Sequence, residues 1–204
     1  EKYDDAASFN KDYVKNLDKE YRGNNPDNIN WGFDEDYTFS IPIETVKADP
    51  TLRNKVRNNS SIIRYVKYNG IRILFAGDLE TAGWEWLAKN DALFRITMKG
   101  GLDVLVAPHH GHDSGFPQAL FDLTENVKTI ILSKDSEASK EGTDVYTGYS
   151  NYADGVTYYN TSDKNMYEGK VLTTRSNGNI YIFVDQSNGL YFATDKASPN
   201  HKKL

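Results

Sequence analysis

The sequence predicts an α/β fold, and three observations carry that prediction. Two β-rich apolar runs, residues 62–68 and 71–76, flank the pair Asn69-Gly70, which is the composition of a two-residue hairpin. A helical segment over residues 84–94, with Trp86, Leu87 and Leu93 among its apolar positions, then leads to a nearly continuous apolar run over 102–107. Runs of that kind are buried on both faces of a parallel sheet, and the order strand, helix, strand is the signature of α/β domains.

Taken in order, the chain opens with about fifty strongly polar residues, as the roughly 3.6-residue helical period reads them. Phe9, Tyr13, Leu17 and Tyr21 recur every four positions, which predicts one face of an amphipathic helix ending near Gly23. Asn24-Asn25-Pro26-Asp27-Asn28 is turn chemistry. The acidic run Asp34-Glu35-Asp36 is expected in a solvated loop. Residues 37–46 read as a short β segment broken by Pro42. After the hairpin, the helix and the buried strand come a further helix over 117–123 and a strand over 129–132. The Tyr-rich stretch 135–170 carries no assignable period, and residues 180–184 and 190–193 form a terminal hairpin around Asp185-Gln186-Ser187-Asn188-Gly189. Residues 1–55 are therefore expected to be a polar helical and loop region, and 56–204 the ordered fold.

A chain of 204 residues suits one domain with a sizeable core. The absence of Cys excludes disulfides, thiolate nucleophiles, iron–sulfur clusters and Cys-ligated zinc, and gives no sign of an oxidising compartment, so a cytoplasmic location is expected. A net charge of -5 argues against a globally basic nucleic-acid binder. A local groove stays open, because Arg53, Lys55 and Arg57 precede Asn58 and Arg64, Lys67 and Arg72 lie on the hairpin; the plainer reading of these cations is a solvated face. Tyr146, Tyr149, Tyr152, Tyr158 and Tyr159 either stack on bases or cover the core. No apolar run reaches the roughly 20 residues of a membrane helix. Glu1-Lys2-Tyr3 offers neither an initiating Met nor a signal peptide, so the chain is expected to continue from a segment upstream.

The chemistry concentrates at two strand ends. Pro108-His109-His110-Gly111-His112-Asp113-Ser114-Gly115 directly follows the buried strand and holds three of the four His. Imidazoles are metal ligands and proton carriers, and the carboxyl ends of strands are where open α/β sheets place their sites. Phe75-Ala76-Gly77-Asp78-Leu79-Glu80 ends the second hairpin strand with a carboxylate. Read alone, Asp78 is as readily a turn residue or a helix N-cap. With one helix between them, Asp78 and the His109-His110 pair are predicted on one edge of one sheet, and the two signals then support each other.

These residues resemble the metallo-β-lactamase superfamily, and within it the branch of ComEC-type competence hydrolases and phosphorylcholine esterases. The resemblance runs through Asn58-Asn59-Ser60-Ser61, Gly77-Asp78-Leu79-Glu80, Glu85, Asp103-Val104-Leu105, His109-His110-Gly111, Ile130-Ile131-Leu132-Ser133 and the stretch 174–180, and covers about residues 56–195. It implies an αββα sandwich, of which this chain would be the carboxyl-terminal half with part of the preceding region. It implies two divalent ions, zinc or manganese, with Asp78 bridging them, His110 as a ligand and His109 catalytic through the substrate's phosphoryl oxygens; which of the two imidazoles meets the ion stays open. Asn58, or Asn59 in its place, would be a weak ligand or a partner behind the ligands. Ser114 and Arg57 are the candidates for phosphate contacts.

No His precedes His109, so the family's His-x-His-x-Asp-His motif is not in this chain and the metal pair is incomplete in it alone. The expectation is a phosphodiesterase or nuclease-type hydrolase completed by a missing amino-terminal half or a partner chain, acting on a phosphodiester or nucleic acid. The alternatives are a lactone or thioester hydrolase of the same superfamily, and a degenerate, metal-poor binding module using the same cleft.

Overall fold

The computed structural model describes residues 33–125, 127–134, 146–185 and 187–204. The expected helix over 9–21 and the turn over 24–28 lie outside the described residues. Strand β1 (Glu35–Phe39) is followed by α1 (Ile43–Ala48), a 3-10 turn (Arg53–Lys55) and α2 (Val56–Asn59). The hairpin β2 (Ile63–Tyr68) and β3 (Ile71–Phe75) comes next, then α3 (Thr81–Asn90), α4 (Ala92–Lys99) and β4 (Val104–Val106). Two 3-10 turns (Pro108–Gly111 and Asp113–Gly115), α5 (Gln118–Phe121), β5 (Thr129–Leu132) and α6 (Tyr146–Ser150) lead into the last part. That part holds β6 (Val156–Asn160), β7 (Asn165–Gly169), β8 (Val171–Thr173), α7 (Thr174–Asn177), β9 (Ile180–Val184), β10 (Leu190–Thr194) and β11 (Lys202–Lys203).

The strands form two mixed sheets, one ordered β1-β2-β3-β4-β5-β8 and the other β11-β7-β6-β10-β9. In the first, β1, β2 and β3 run antiparallel and β3, β4, β5 and β8 run parallel. Successive side chains of a strand point to opposite faces. Leu105 and Ile130 therefore pack with Trp84, Leu87, Phe94, Met98, Leu120 and Tyr149 on the helical side. Their neighbours Val104 and Ile131, with Leu172, meet Tyr158, Tyr167 and Phe192 of the second sheet on the other. Burial on both faces is why these strands read as unbroken apolar runs. The result is a mixed α/β structure: helices on one face of the first sheet and the second sheet on its other face. Among the described residues, no helix is long and apolar enough to cross a membrane.

Four local readings change. Glu35 and Asp36 belong to β1 rather than to a loop, because their carboxylates pair across the sheet with Lys67 and Arg64, each at 2.8 Å. The segment after Pro42 is α1 rather than strand. Pro42 has no N–H for a ladder, and its φ of -54° suits a helix start. The single helix over 84–94 is two, because Asp91 caps α4 by accepting the Phe94 N–H at 2.9 Å. Residues before position 56 are not peripheral: Phe39, Ile41, Val46 and Leu52 lie in the same buried cluster as Ile63 and Trp84. Within the unassigned stretch, Tyr149 and Tyr158 are fully buried and cover the core, and Tyr152 stacks on Phe121. Tyr159 is partly exposed, and the Tyr146 side chain lies outside the described part.

Between β8 and the carboxyl terminus, a buried polar cluster ties the second sheet to the first. His201 Nε2 donates to the Val171 carbonyl at 3.1 Å, and its Nδ1 accepts from Tyr158 Oη at 2.7 Å. Burial of this ring pulls its pKa below the ordinary His value, because a charged imidazolium would lose water there. A His with a lowered folded-state pKa stabilises fully above its unfolded pKa of about 6.5 and loses that contribution as pH falls below it. The lowered carboxylates Asp49, Asp103, Asp163 and Asp185 act only below about pH 4. Urea midpoints are therefore expected to fall as pH drops from neutral towards 5, and His201→Gln to flatten that slope; an unchanged slope in the variant refutes the assignment.

Candidate functional site

Two strand exits converge because the backbone ties them. Beyond β3, the Ala76 N–H donates to the Val106 carbonyl at 3.3 Å, and beyond β4 the His109 N–H donates to the Gly77 carbonyl at 2.9 Å. The parallel pairing is thus carried past the last ladder residues, and it sets Asp78 beside the His loop. Gly77 takes φ +57°, and a Cβ there would lie 3.2 Å from Ser61 Cβ. The close approach lets Ser61 Oγ accept the Asp78 N–H at 3.1 Å. Asp78 precedes the Glu80 N-cap of α3 by two residues and does not cap it.

His110 Nε2 lies 3.6 Å from Asp78 Oδ1. The other ring nitrogen, Nδ1, lies 2.7 Å from the Ser133 carbonyl at the end of β5. A carbonyl only accepts, so Nδ1 carries a hydrogen, and in the uncharged form of the ring Nε2 presents its lone pair to the side of the carboxylate. In that form two acceptors face each other, half-exposed at 62% and 49% of the side chain, an arrangement that a shared cation satisfies. Two donors of one tetrahedral ion, at bonds of about 2.0–2.2 Å, stand about 3.3–3.5 Å apart. The observed separation and the nitrogen–oxygen donor set therefore fit a zinc- or manganese-type ion. Among the described residues, however, no group of three or more His, Cys, Asp or Glu is placed to hold a metal ion.

His109 is turned the other way, with Nδ1 3.2 Å from Glu80 Oε1. Glu80 is a buried carboxylate, with 7% of its side chain exposed, and it also accepts the Asn58 Nδ2 hydrogen bond at 2.5 Å. These contacts put the hydrogen of His109 on Nδ1 and leave Nε2 as the atom available to a ligand. Ser114 Oγ sits 3.1 Å from His109 Nδ1 and 3.0 Å from His112 Nδ1, so it braces the loop from within. Asn59 is buried and donates to the Leu52 carbonyl at 2.9 Å, away from the strand ends, so Asn58 is the amide brought to the site. Arg57 is exposed on α2.

Glu80, Ser61 and Ser133 enter the site by structure rather than by sequence reading; all three stand inside the quoted motifs but carried no assigned role there. Asp103, by contrast, lies at the opposite end of β4. Burial pushes its carboxyl up, but Arg72 Nε at 3.0 Å, the Arg72 N–H at 2.9 Å and Lys128 Nζ at 3.1 Å more than offset this and hold it below the usual carboxylate range. Arg64, Lys67 and Arg72 on the hairpin each pair with a carboxylate of the same sheet.

The loop is held in strained backbone. His109 and His110 have φ of 45° and 55°, and Gly111 follows at 81°. Left-handed conformation costs a non-glycine residue about 1–2 kcal/mol. Compared with protein-family models the sequence matches none, and it matches none of the curated proteins. At Gly111 a Cβ would also stand 2.8 Å from Leu132 Cδ2. Gly111→Ala is therefore expected to destabilise the fold by at least about 1–2 kcal/mol and to shift the His110 ring resonances. Unchanged stability and spectra would show that the loop relaxes freely.

Proposed function

We propose that this chain is the carboxyl-terminal half of a metallo-β-lactamase-type αββα hydrolase, acting on phosphodiester bonds with a divalent metal pair, zinc or manganese. The observation that carries the reading is the His110–Asp78 pair: a ring whose Nδ1 is held by the Ser133 carbonyl and whose Nε2 faces a carboxylate 3.6 Å away. The layering of helices, a first sheet and a second sheet supports the sandwich. Two cations need more donors than one imidazole and one carboxylate, so the reading requires further ligands from an amino-terminal half or a partner chain. The chemistry that the metal pair supplies when bound is a water acidic enough to yield hydroxide near neutral pH.

This chain's own residues have separable tasks. Asp78 and His110 Nε2 are the donors, and the Ser133 carbonyl keeps that ring from rotating. His109 Nε2 is the atom that meets a phosphoryl oxygen, donating to it when the ring carries a hydrogen on both nitrogens and Nδ1 faces the Glu80 carboxylate, with Asn58 holding Glu80 from behind. Phosphodiester rather than lactone or thioester chemistry is the choice because a second imidazole beside the cation site suits a doubly oxygenated anion. The hairpin cations play no part in it, since carboxylates already neutralise them.

The test supplies the amino-terminal half or partner chain with zinc or manganese and measures bis-p-nitrophenyl phosphate and single-stranded DNA hydrolysis beside the metal content. Asp78→Ala and His110→Gln are expected to abolish bound metal and turnover together. Glu80→Gln should lower activity about 10–100-fold while the fold persists. No turnover with either metal, or full turnover in Asp78→Ala, overturns the reading; less than one metal per chain would identify a binding module instead.

A further inference from the structure

Five of the nine large apolar or aromatic side chains that stand exposed among the described residues share one surface, the outer face of the second sheet. They are Tyr159, Met166, Tyr181, Phe183 and Tyr191, each 38–56% exposed. Alternation along the strands puts them there, because Tyr158, Tyr167, Ile182 and Phe192 point the other way, into the core shared with the first sheet. Cross-strand register makes the patch continuous. Tyr181, Ala193, Tyr159 and Met166 are successive partners across β9, β10, β6 and β7, and Phe183 lies opposite Tyr191 in the next row. None of these side chains carries a formal charge, and a contiguous patch of this kind is a surface that an apolar partner covers.

The chain itself holds a segment that fits. Residues 1–32 precede the first described residue, Phe33, and carry Phe9, Tyr13, Leu17 and Tyr21 at helical spacing. The point where they join the fold is on the right side of the molecule. Phe33 packs edge-on against Tyr68, with ring centroids 6.2 Å apart. Tyr68 stands on the face of β2 opposite Tyr65, which lies under the helices, so Phe33 is on the side of the first sheet that looks towards the second. Asp34 is tied to the same hairpin, its N–H donating to the Lys67 carbonyl at 2.8 Å and its carboxylate accepting the Gly70 N–H at 3.0 Å. At that turn Asn69 Nδ2 donates to the Asp185 carbonyl at 2.9 Å, and Asp185 directly follows β9, the edge strand that carries Tyr181 and Phe183. The upstream chain therefore joins beside the patch, and across the first sheet from Leu93 and Ile96, the exposed apolar pair on α4.

The lengths agree as well. A helix over 9–21 would be about 20 Å long at about 1.5 Å per residue, and five strands about 4.8 Å apart span about 19 Å. Residues 23–32, fully extended, reach up to about 33 Å, enough to round the β9 edge. We infer that the outer face of the second sheet is the docking surface of the chain's own amino-terminal segment, with Phe9, Tyr13, Leu17 and Tyr21 of a helix laid on its aromatic rows. The inference does not rest on the hydrolase reading, and absent metal-dependent turnover leaves it standing.

The chain has no Cys, so Glu168→Cys, exposed on the same face two residues from Met166, gives a single attachment point for a nitroxide label. In the full chain the label is expected to broaden the amide resonances of residues 9–21, and hydrogen exchange of those amides to be slowed. Leu17→Ser and Phe183→Ser should each speed that exchange about tenfold or more and weaken the broadening. Unchanged protection of the β4 and β5 amides shows that the variants fold, and Leu17→Ser, outside the core, carries the test if Phe183→Ser does not fold. Residues 9–21 without broadening and without slowed exchange overturn the inference. Broadening seen only when a nitroxide-labelled copy is mixed with a separate isotope-labelled copy overturns it too, and identifies a second copy of the chain as the occupant.

Discussion

The backbone hydrogen bond from the His109 N–H to the Gly77 carbonyl, 2.9 Å long, is the constraint on which the candidate site depends. Parallel strands place like ends together, but the ladder itself stops at Phe75 and Val106. Without a tie beyond that point, the two exit loops would diverge and the imidazole and carboxylate would occupy unrelated parts of the edge. The tie is possible because Gly77 brings its peptide against the α2–β2 connection, where a side chain would crowd Ser61 and the Ile62 carbonyl. One local backbone choice therefore decides whether two distant sequence motifs become one site.

The sheet beneath supplies rigidity in a form that loops lack. Each of β4 and β5 is packed on both sides, by the helices and by the second sheet, so neither strand can tilt without opening two cores. Close packing transmits that restraint to the strand ends. His110 takes its orientation from Ser133 just past β5 while it faces Asp78 after β3, so the ring bridges the ends of three adjacent strands. Its position is set by the spacing of the sheet rather than by the His loop alone.

What was legible in the sequence follows from the same physics. Strands buried on both faces must be apolar throughout, so residues 102–107 and 129–132 announced themselves, as did the Asn69-Gly70 hairpin. The strand-end residues Asp78, His109 and His110 were legible because reactive side chains stood directly after such runs. Glu80 and Ser133 were not given their roles, since each acts through a partner 23 or more positions away on another element, and neither leaves a periodic trace. The start of β1 was hidden because Glu35 and Asp36 are acids whose strand character comes from cross-sheet cations. The break at Asp91 was hidden because a cap interrupts a helix without interrupting its apolar spacing.

The conformational expense of the His loop says most about what the loop is for. Glycine at positions 109 and 110 would adopt φ of 45° and 55° without strain, so a loop needed only as a connection would be more stable with it. Two imidazoles there carry about 2–4 kcal/mol of backbone strain between them, and one of them is matched to a buried carboxylate that is itself expensive to desolvate unless bonded. Each cost is met by a specific contact: Gly77 and Glu80 for His109, Ser133 for His110. Strain held by contacts to the ring nitrogens is strain held in order to aim those rings. The contacts of this loop thus fix the orientation of its side chains as well as the path of its turn.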